Sequence, residues 1–229
     1  MSAEERELKL MPLDAGLLER LAGVEHLGRF AVVGRRLEHQ RNSFFDTRNG
    51  ALRAARVGFR RREVEGNLLA TWSLKGQGSQ QRGVATRTEI EVQLAADTPP
   101  ALAIGTLREA ARQRGALALA EQVRDALVTG VPVGEPVLVT QTERQIRDLE
   151  AAGSGWRVEM TLDRVRLVGH AYAETEIEVE LKEGDEAALD AARAAIELLG
   201  GVRESPGSKL SRAMAHLEAC ACGERGTGM

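Results

Sequence analysis

The chain has little of the material from which several common sites and anchors are built. Only 3% of its 229 residues are aromatic, and its two cysteines are Cys220 and Cys222. A disulfide between cysteines so close in sequence would be strained, so a disulfide framework is excluded. No apolar run approaches the ~18 residues that a membrane-spanning helix needs, and the first residues lack the basic and apolar regions of a secretory signal. We therefore expect a soluble cytoplasmic protein.

Strong charge of one sign is also absent. Lys and Arg number 31 against 34 Asp and Glu, which gives a formal net charge of −3. That balance provides no general attraction to nucleic acid or to anionic lipid. Neither a nucleic acid nor a membrane is therefore expected as a partner, and a polyanionic ligand would require positive charge concentrated at one place.

Lysine is the scarce basic residue, with four examples among the 31. Lys9 ends an alternating run, Lys75 ends a strand-like segment, and Lys209 follows the loop-like Ser-Pro-Gly-Ser. Lysine is a compact point charge whose pKa shifts readily, whereas arginine is a rigid fork that stays charged. Selective use of lysine therefore indicates positions where that difference matters.

Alternating polar and apolar residues predict many strands, and longer periods predict helices between them. Strands are predicted at 4–10, 36–47, 56–64, 68–75, 85–94, 137–149, 156–163, 164–168 and 174–182, and helices at 14–27, 101–113, 117–127, 185–199 and 209–217. Residues 76–83 are rich in Gly, Gln and Ser and are predicted as a loop. Two β-rich halves flank a helical insert at about 98–134, which favours an α+β fold with a closed antiparallel barrel and peripheral helices. We expect one domain over residues 1–219 and a disordered tail over 220–229, with the insert as a candidate homodimer contact.

Charged residues share strand faces, because side chains at i and i+2 point the same way. The groups are Glu5, Glu7 and Lys9; Arg60 and Arg62; Arg87, Glu89 and Glu91; Glu159 and Asp163; and Glu176, Glu178, Glu180 and Lys182. A solvated outer face is one interpretation. The other is an inner face, where a divalent cation relieves the repulsion between carboxylates and a phosphate matches the paired arginines. A metal-bound polyphosphate inside the barrel fits both signs of charge.

Short motifs follow one another along the chain in a recognisable order. They are Glu5-Arg6-Glu7-Leu8-Lys9, Phe44-Phe45-Asp46-Thr47, Ala51-Leu52-Arg53, Phe59-Arg60-Arg61-Arg62, Thr71-Trp72-Ser73-Leu74-Lys75-Gly76, Arg87-Thr88-Glu89-Ile90-Glu91, Arg144, Leu162-Asp163, Glu176-Ile177-Glu178-Val179-Glu180 and Ser208-Lys209. Over about residues 3–218 this series resembles the CYTH superfamily, also called triphosphate tunnel metalloenzymes. The likeness is nearest to the N-terminal domain of bacterial inorganic triphosphatases.

The resemblance implies an eight-stranded antiparallel tunnel that binds a triphosphate in its lumen and acts on it with Mg²⁺ or Mn²⁺. By motif match, the residues that would hold metal are Glu5, Glu7, Asp163, Glu176, Glu178 and Glu180. Those that would hold phosphate oxygens are Lys9, Arg60, Arg62, Lys75, Arg87, Arg144 and Lys209. Glu5, Glu7 and Lys9 would be the catalytic residues. Glu89 and Glu91 would be luminal and would order the basic wall or a second metal.

The expected activity is hydrolysis of inorganic triphosphate or of an organic triphosphate. Phe44 stands where some members of the superfamily have a tyrosine that pairs with the signature lysine, so a metal-activated water is the favoured nucleophile. Adenylate cyclase and thiamine triphosphatase activity are the enzymatic alternatives, although a chain with so few aromatic residues offers little for stacking a base. A non-catalytic polyphosphate- or nucleotide-binding module is the alternative of another class.

Overall fold

Eight antiparallel strands close into a barrel, which confirms the predicted fold. The structure, a computed structural model, describes residues 4–226 and the side chains of residues 4–220. The strands follow the order β1-β6-β5-β4-β3-β7-β8-β9, and β9 pairs back with β1 to close the sheet. They are β1 (Glu4–Pro12), β3 (Phe30–Phe45), β4 (Gly58–Val64), β5 (Leu69–Gln81), β6 (Val84–Ala95), β7 (Leu138–Ala151), β8 (Trp156–Leu167) and β9 (Ala173–Glu183). Two short strands, β2 (His26–Leu27) and β10 (Val202–Glu204), pair with β3 and β1.

The helices lie outside the barrel and cover its apolar side chains. They are α1 (Leu17–Gly23), α2 (Ala51–Ala54), α3 (Pro100–Gln113), α4 (Leu117–Leu127), α5 (Ala187–Leu199) and α6 (Lys209–Gly226). Helices α1 and α5 bury one cluster that includes Leu8 and Leu10 of β1. Helices α2, α3 and α4 bury a second around Trp72, whose ring centroid lies 5.4 Å from those of Phe45 and Phe59. Because successive strand residues face opposite sides, this outward core leaves the inner faces to polar residues.

The strand and helix bounds correct several predictions. Strand β3 begins at Phe30 rather than at residue 36, and the helix predicted over 14–27 is only Leu17–Gly23 because β2 follows it. The segments 156–163 and 164–168 form the single strand β8. Helix α6 continues to Gly226 and so enters the predicted tail, since no proline interrupts it. Residues 227–229 of that tail lie outside the described residues. Within residues 4–226 no helix is long and apolar enough to cross a membrane.

The predicted loop over 76–83 was wrong, because residues 76–81 belong to strand β5. They pair with the start of β6 beyond a register shift between Lys75 and Gly78. A Cβ atom at Gly78 would collide with the carbonyl oxygen of Thr86, so glycine is required there. The segment is polar because residues 77–81 are exposed at the end of the strand, where Gly78, Ser79 and Gln80 line the cavity.

Helix α2 is a short element that the sequence pattern does not predict. The carboxylate of Asp46 accepts hydrogen bonds from the backbone amides of Thr47, Leu52 and Arg53, at 2.7, 2.9 and 3.2 Å. These bonds satisfy amides at the beginning of a helix that is too short to be stable alone. Asp46 therefore directs the chain from the end of β3 to one mouth of the barrel.

Candidate active site

The barrel encloses a cavity of about 1210 Å³ whose wall is made by the charged strand faces. The predicted site residues on this wall are Glu5, Glu7, Lys9, Arg60, Arg62, Lys75, Arg87, Arg144, Asp163, Glu178, Glu180 and Lys209. Glu89, Glu91 and Lys182 line it too. The charged strand faces therefore point into the barrel, and the interpretation as a solvated outer face is wrong.

Glu176 is the one predicted site residue that the structure does not place on the cavity wall. It is fully buried, and its carboxylate accepts a hydrogen bond from the hydroxyl of Ser205 and pairs with Lys209 and Arg212. The strand periodicity gives its face correctly, but Ser205 and the first turn of α6 cover this end of the barrel. Glu176 therefore holds the side chains of Lys209 and Arg212 in place.

One wall of the cavity carries buried positive charge that the protein does not fully neutralise. The Nε atoms of Arg60 and Arg62 are buried without a hydrogen-bond partner. Burial, together with the neighbouring charge of Arg62, lowers the pKa of Arg60 to about 10, although Glu89 and Glu91 act to raise it. Burial likewise lowers the pKa of Lys75, despite its contact of 2.6 Å with Glu89. An anion bound against this wall would relieve both the repulsion and the unmade hydrogen bonds.

Another wall carries a row of adjacent carboxylates. Glu7, Glu180 and Glu159 are directly opposed across strands β1, β9 and β8. Burial raises the pKa of Glu180, Lys182 opposes the rise only in part, and the charges of Glu5 and Glu159 add to it. A carboxylate such as Glu180, whose ionisation is disfavoured beside other acidic side chains, is a group that a divalent cation stabilises.

Lys9 and Arg87 join the acidic residues into one network. The Lys9 ammonium lies 3.0 Å from Glu7 and 2.6 Å from Glu178. Arg87 lies 3.0 Å from Glu5 and also contacts Glu7. Burial by itself would lower the pKa of Lys9, but Glu178 and Glu7 outweigh it and raise that pKa above its ordinary value. Lys9 is therefore a fixed positive charge.

Lys209 enters the cavity from the first residue of α6 and completes a second cluster with Arg144. Its ammonium lies 3.0 Å from Asp163 and 2.9 Å from Glu178, and Arg144 contacts the same two carboxylates at 2.6 and 2.8 Å. Burial alone would raise the pKa of Glu178, yet Lys209, Lys9 and Arg144 hold it well below the ordinary value. Both carboxylates are thus ionised and occupied by cations.

The carboxylates provide the oxygen donors that Mg²⁺ or Mn²⁺ prefers. Among the described residues, however, no group of three or more His, Cys, Asp or Glu side chains has the arrangement of a ready metal site. The reason is that Lys or Arg pairs with each predicted ligand, as Lys182 does with Glu180 at 2.7 Å. The row of Glu7, Glu180 and Glu159 fits a divalent cation best because its three carboxylates lie in register on adjacent strands. Glu159 belongs to this row but not to the predicted metal-binding residues, although the sequence analysis places it on one face with Asp163.

Arg212 is a second residue that the sequence motifs do not reveal. It lies one turn after Lys209 on α6 and contacts both carboxylate oxygens of Glu174 at 2.7 Å. It also donates to the hydroxyl of Ser205 at 2.6 Å and lies 3.0 Å from Glu176. This bidentate geometry fastens the start of α6 to strand β9. Arg212 is therefore a positioning residue for Lys209.

Replacing Arg212 with methionine should raise the KM for the triphosphate that the resemblance implies about tenfold and change kcat less, because Lys209 would lose its anchor but keep its charge. Lysine at 212 should restore only part of the loss, since it cannot form the bidentate contact. Steady-state phosphate release measures both parameters. Arg124→Met is the matched control, because Arg124 is an exposed arginine that pairs with acids on α4 alone. Equal KM values for the two methionine variants would contradict the positioning role.

The chain belongs to the CYTH domain family. The family model of the CYTH domain matches residues 3–214, which is nearly the whole chain. A comparison with curated proteins finds no significant match. Membership agrees with the motif series and with the closed barrel, and it confirms the resemblance drawn from the sequence.

Solved structures of several proteins share this fold. HpAC1 from Hippeastrum is 22% identical with a TM-score of 0.61, covering 90% of this chain and 93% of its own, and is described as an adenylyl cyclase candidate with a dominant triphosphatase activity. The protein PH1819 from Pyrococcus horikoshii is 19% identical with a TM-score of 0.54, covering 93% and 99%. A candidate adenylate cyclase from Bacillus halodurans is 18% identical with a TM-score of 0.53, covering 92% and 98%. At these identities the likeness establishes the fold.

Proposed function

We propose that this protein is a metal-dependent triphosphatase whose preferred substrate is inorganic triphosphate. The observation that carries the proposal is the pair of unlike walls in one buried cavity. Arg60 and Arg62 offer unpartnered Nε donors on one side, and Glu7, Glu180 and Glu159 form a row of adjacent carboxylates on another. A linear triphosphate would supply the negative charge that the basic wall attracts, and a divalent cation would supply the positive charge that the carboxylates attract.

The contacts support a separate role for each group of luminal residues. Arg60, Arg62, Lys75, Arg144 and Lys209 would hold phosphate oxygens and stabilise the charge that develops as the terminal phosphoryl group leaves. Mg²⁺ or Mn²⁺, bound by the carboxylates, would neutralise phosphate oxygens and lower the pKa of a water. Glu5, Glu7 and Glu180 are the ligands that the row of adjacent carboxylates favours, with Asp163 and Glu178 beside them. Lys9, held between Glu7 and Glu178, supports these carboxylates and contributes its positive charge.

Binding of substrate and metal should be coupled. In the structure the luminal cations and carboxylates neutralise one another, as Lys9 and Arg87 do with Glu7. When phosphate oxygens take up the Lys and Arg side chains, the carboxylates lose their partners and gain affinity for a cation. By linkage the cation must then raise the affinity for triphosphate by the same factor.

The cavity favours a bare triphosphate over a nucleotide. Phe44 is the one aromatic side chain among the described residues that line it. Trp72 and Trp156 belong to the packing outside the barrel, so neither presents a ring to a base. The low aromatic content of the sequence therefore corresponds to a lumen with little to stack upon.

A phosphate-release assay with tripolyphosphate, ATP and thiamine triphosphate tests the proposal. With Mg²⁺ or Mn²⁺ we expect the highest kcat/KM for tripolyphosphate and no release when EDTA is present. A higher kcat/KM for thiamine triphosphate, or formation of cyclic AMP from ATP, would replace the proposal with the corresponding alternative. Tight binding of all three without turnover would identify a binding module instead.

A further inference from the structure

Three arginines line one mouth of the cavity, beyond the residues of the barrel strands. They are Arg53 on α2, Arg56 just after α2, and Arg114 at the end of α3, and we call them the mouth arginines. Arg53 pairs with Glu218 of α6 at 3.1 Å. Arg56 and Arg114 are exposed, and in the part of the chain that the structure describes their side chains make no ion pair or hydrogen bond. Two charges are therefore available to a ligand at the mouth.

Arg56 has a backbone conformation that is uncommon for a residue with a side chain; Arg82 shares it but does not line the cavity. Arg56 has a φ of 56°, in the left-handed region. Its amide donates to the carbonyl of Arg53 and the amide of Val57 donates to that of Leu52, both at 2.9 Å, which is the turn that ends helices at a glycine. A side chain in that conformation costs about 1 kcal/mol relative to glycine. An arginine that faces the cavity from a glycine position has no structural partner to explain it.

The charge of the mouth differs from the charge of the lumen. Along the barrel strands, acidic and basic side chains line the cavity in nearly equal numbers and largely pair with one another. Around the mouth, the three arginines are accompanied by the single acid Glu218. The excess of positive charge at the mouth thus adjoins the wall that carries Arg60 and Arg62, with Gly58 at the start of β4 between them. A ligand that follows it must carry negative charge along its length.

We propose that the mouth arginines form a subsite for phosphate groups beyond the third. Linear inorganic polyphosphates longer than triphosphate would then be bound by the lumen and the mouth together. The inference rests on the proposed triphosphatase function, because the lumen must hold one end of the chain. A polyphosphate fits the continuous basic path, whereas a nucleoside at the mouth would meet charged side chains and Phe44 alone among the aromatic residues that line the cavity.

The test is direct binding of ligands of different length, measured by calorimetry in EDTA so that the metal-dependent reaction does not consume them. Wild-type protein is compared with the double variant Arg56→Gly and Arg114→Gln. Glycine suits the left-handed conformation at 56, so the variant should fold as well as the wild type. Arg112→Gln is the matched control, because Arg112 is exposed on the same helix but does not line the cavity. Thermal unfolding checks all three proteins.

We expect the wild type to bind a medium-length polyphosphate about tenfold more tightly than tripolyphosphate, and the double variant to lose that preference. Affinity for tripolyphosphate should stay within about twofold in every variant. Equal affinity of the wild type for both ligands, or a preference that survives in the double variant, would overturn the subsite. A loss of ATP binding without a loss of polyphosphate binding would also overturn it, in favour of a nucleotide. Failure of the wild type to bind tripolyphosphate would instead refute the proposed function on which the subsite rests.

Discussion

Replacing Glu7 with glutamine should abolish metal-dependent phosphate release while leaving the fold intact. The glutamine has the same shape but no charge, so it cannot serve as an anionic ligand in the row with Glu180 and Glu159. It also leaves Lys9 and Arg87 without one of their carboxylate partners. Loss of a ligand and a disturbed charge network should together lower kcat by at least ~10²–10³-fold.

The measurement is steady-state phosphate release from tripolyphosphate over a range of Mg²⁺ and Mn²⁺ concentrations, with circular dichroism to verify the fold. Glu65→Gln provides the control, since Glu65 is an exposed residue in the turn after β4. If Glu7→Gln retained full activity, the assignment of Glu7 to metal binding would be refuted. If added metal restored the rate, Glu7 would contribute affinity and the catalytic role would pass to other carboxylates.

The sequence predicted the face of almost every site residue because strand geometry is strictly periodic. Once Glu5, Glu7 and Lys9 are on a strand, the period of two places them together whatever surrounds them. The closed barrel then converts a shared face into a shared cavity. The motif series supplied the direction in which those faces point, which alternation alone left open.

What the sequence did not reveal depends on contacts between distant segments. Glu176 has the right periodicity, but only the folded chain shows that Ser205 and Arg212 cover it. Residues 76–81 have the composition of a loop, and only their pairing with β6 makes them a strand. Arg56 belongs to no motif, and its interest arises from a φ angle and a position at the mouth. Local patterns carry no information about such relations.

Replacing Lys209 with methionine should lower both activity and stability, and the loss of stability should depend on pH. Lys209 provides positive charge to three buried carboxylates, those of Asp163, Glu176 and Glu178. Its removal deprives a phosphate of one contact, which we expect to cost ~10²–10³-fold in kcat/KM. It also leaves buried negative charge uncompensated, which should lower the free energy of unfolding by about 3 kcal/mol at neutral pH.

The sign of the pH dependence follows from the pKa shifts. In the folded wild type the cations hold the pKa values of Asp163 and Glu178 below their ordinary values, so these groups stabilise the fold above the unfolded pKa and lose that contribution as the pH falls. Without Lys209 the two pKa values should rise, and the carboxylates can be protonated at mild acidity. The stability deficit of Lys209→Met should therefore be largest near neutral pH and shrink as the pH approaches about 4. Urea unfolding at several pH values measures it, with Lys182→Met as the control because Lys182 is more exposed. A deficit that did not change with pH would show that Lys209 stabilises α6 by packing rather than by its charge.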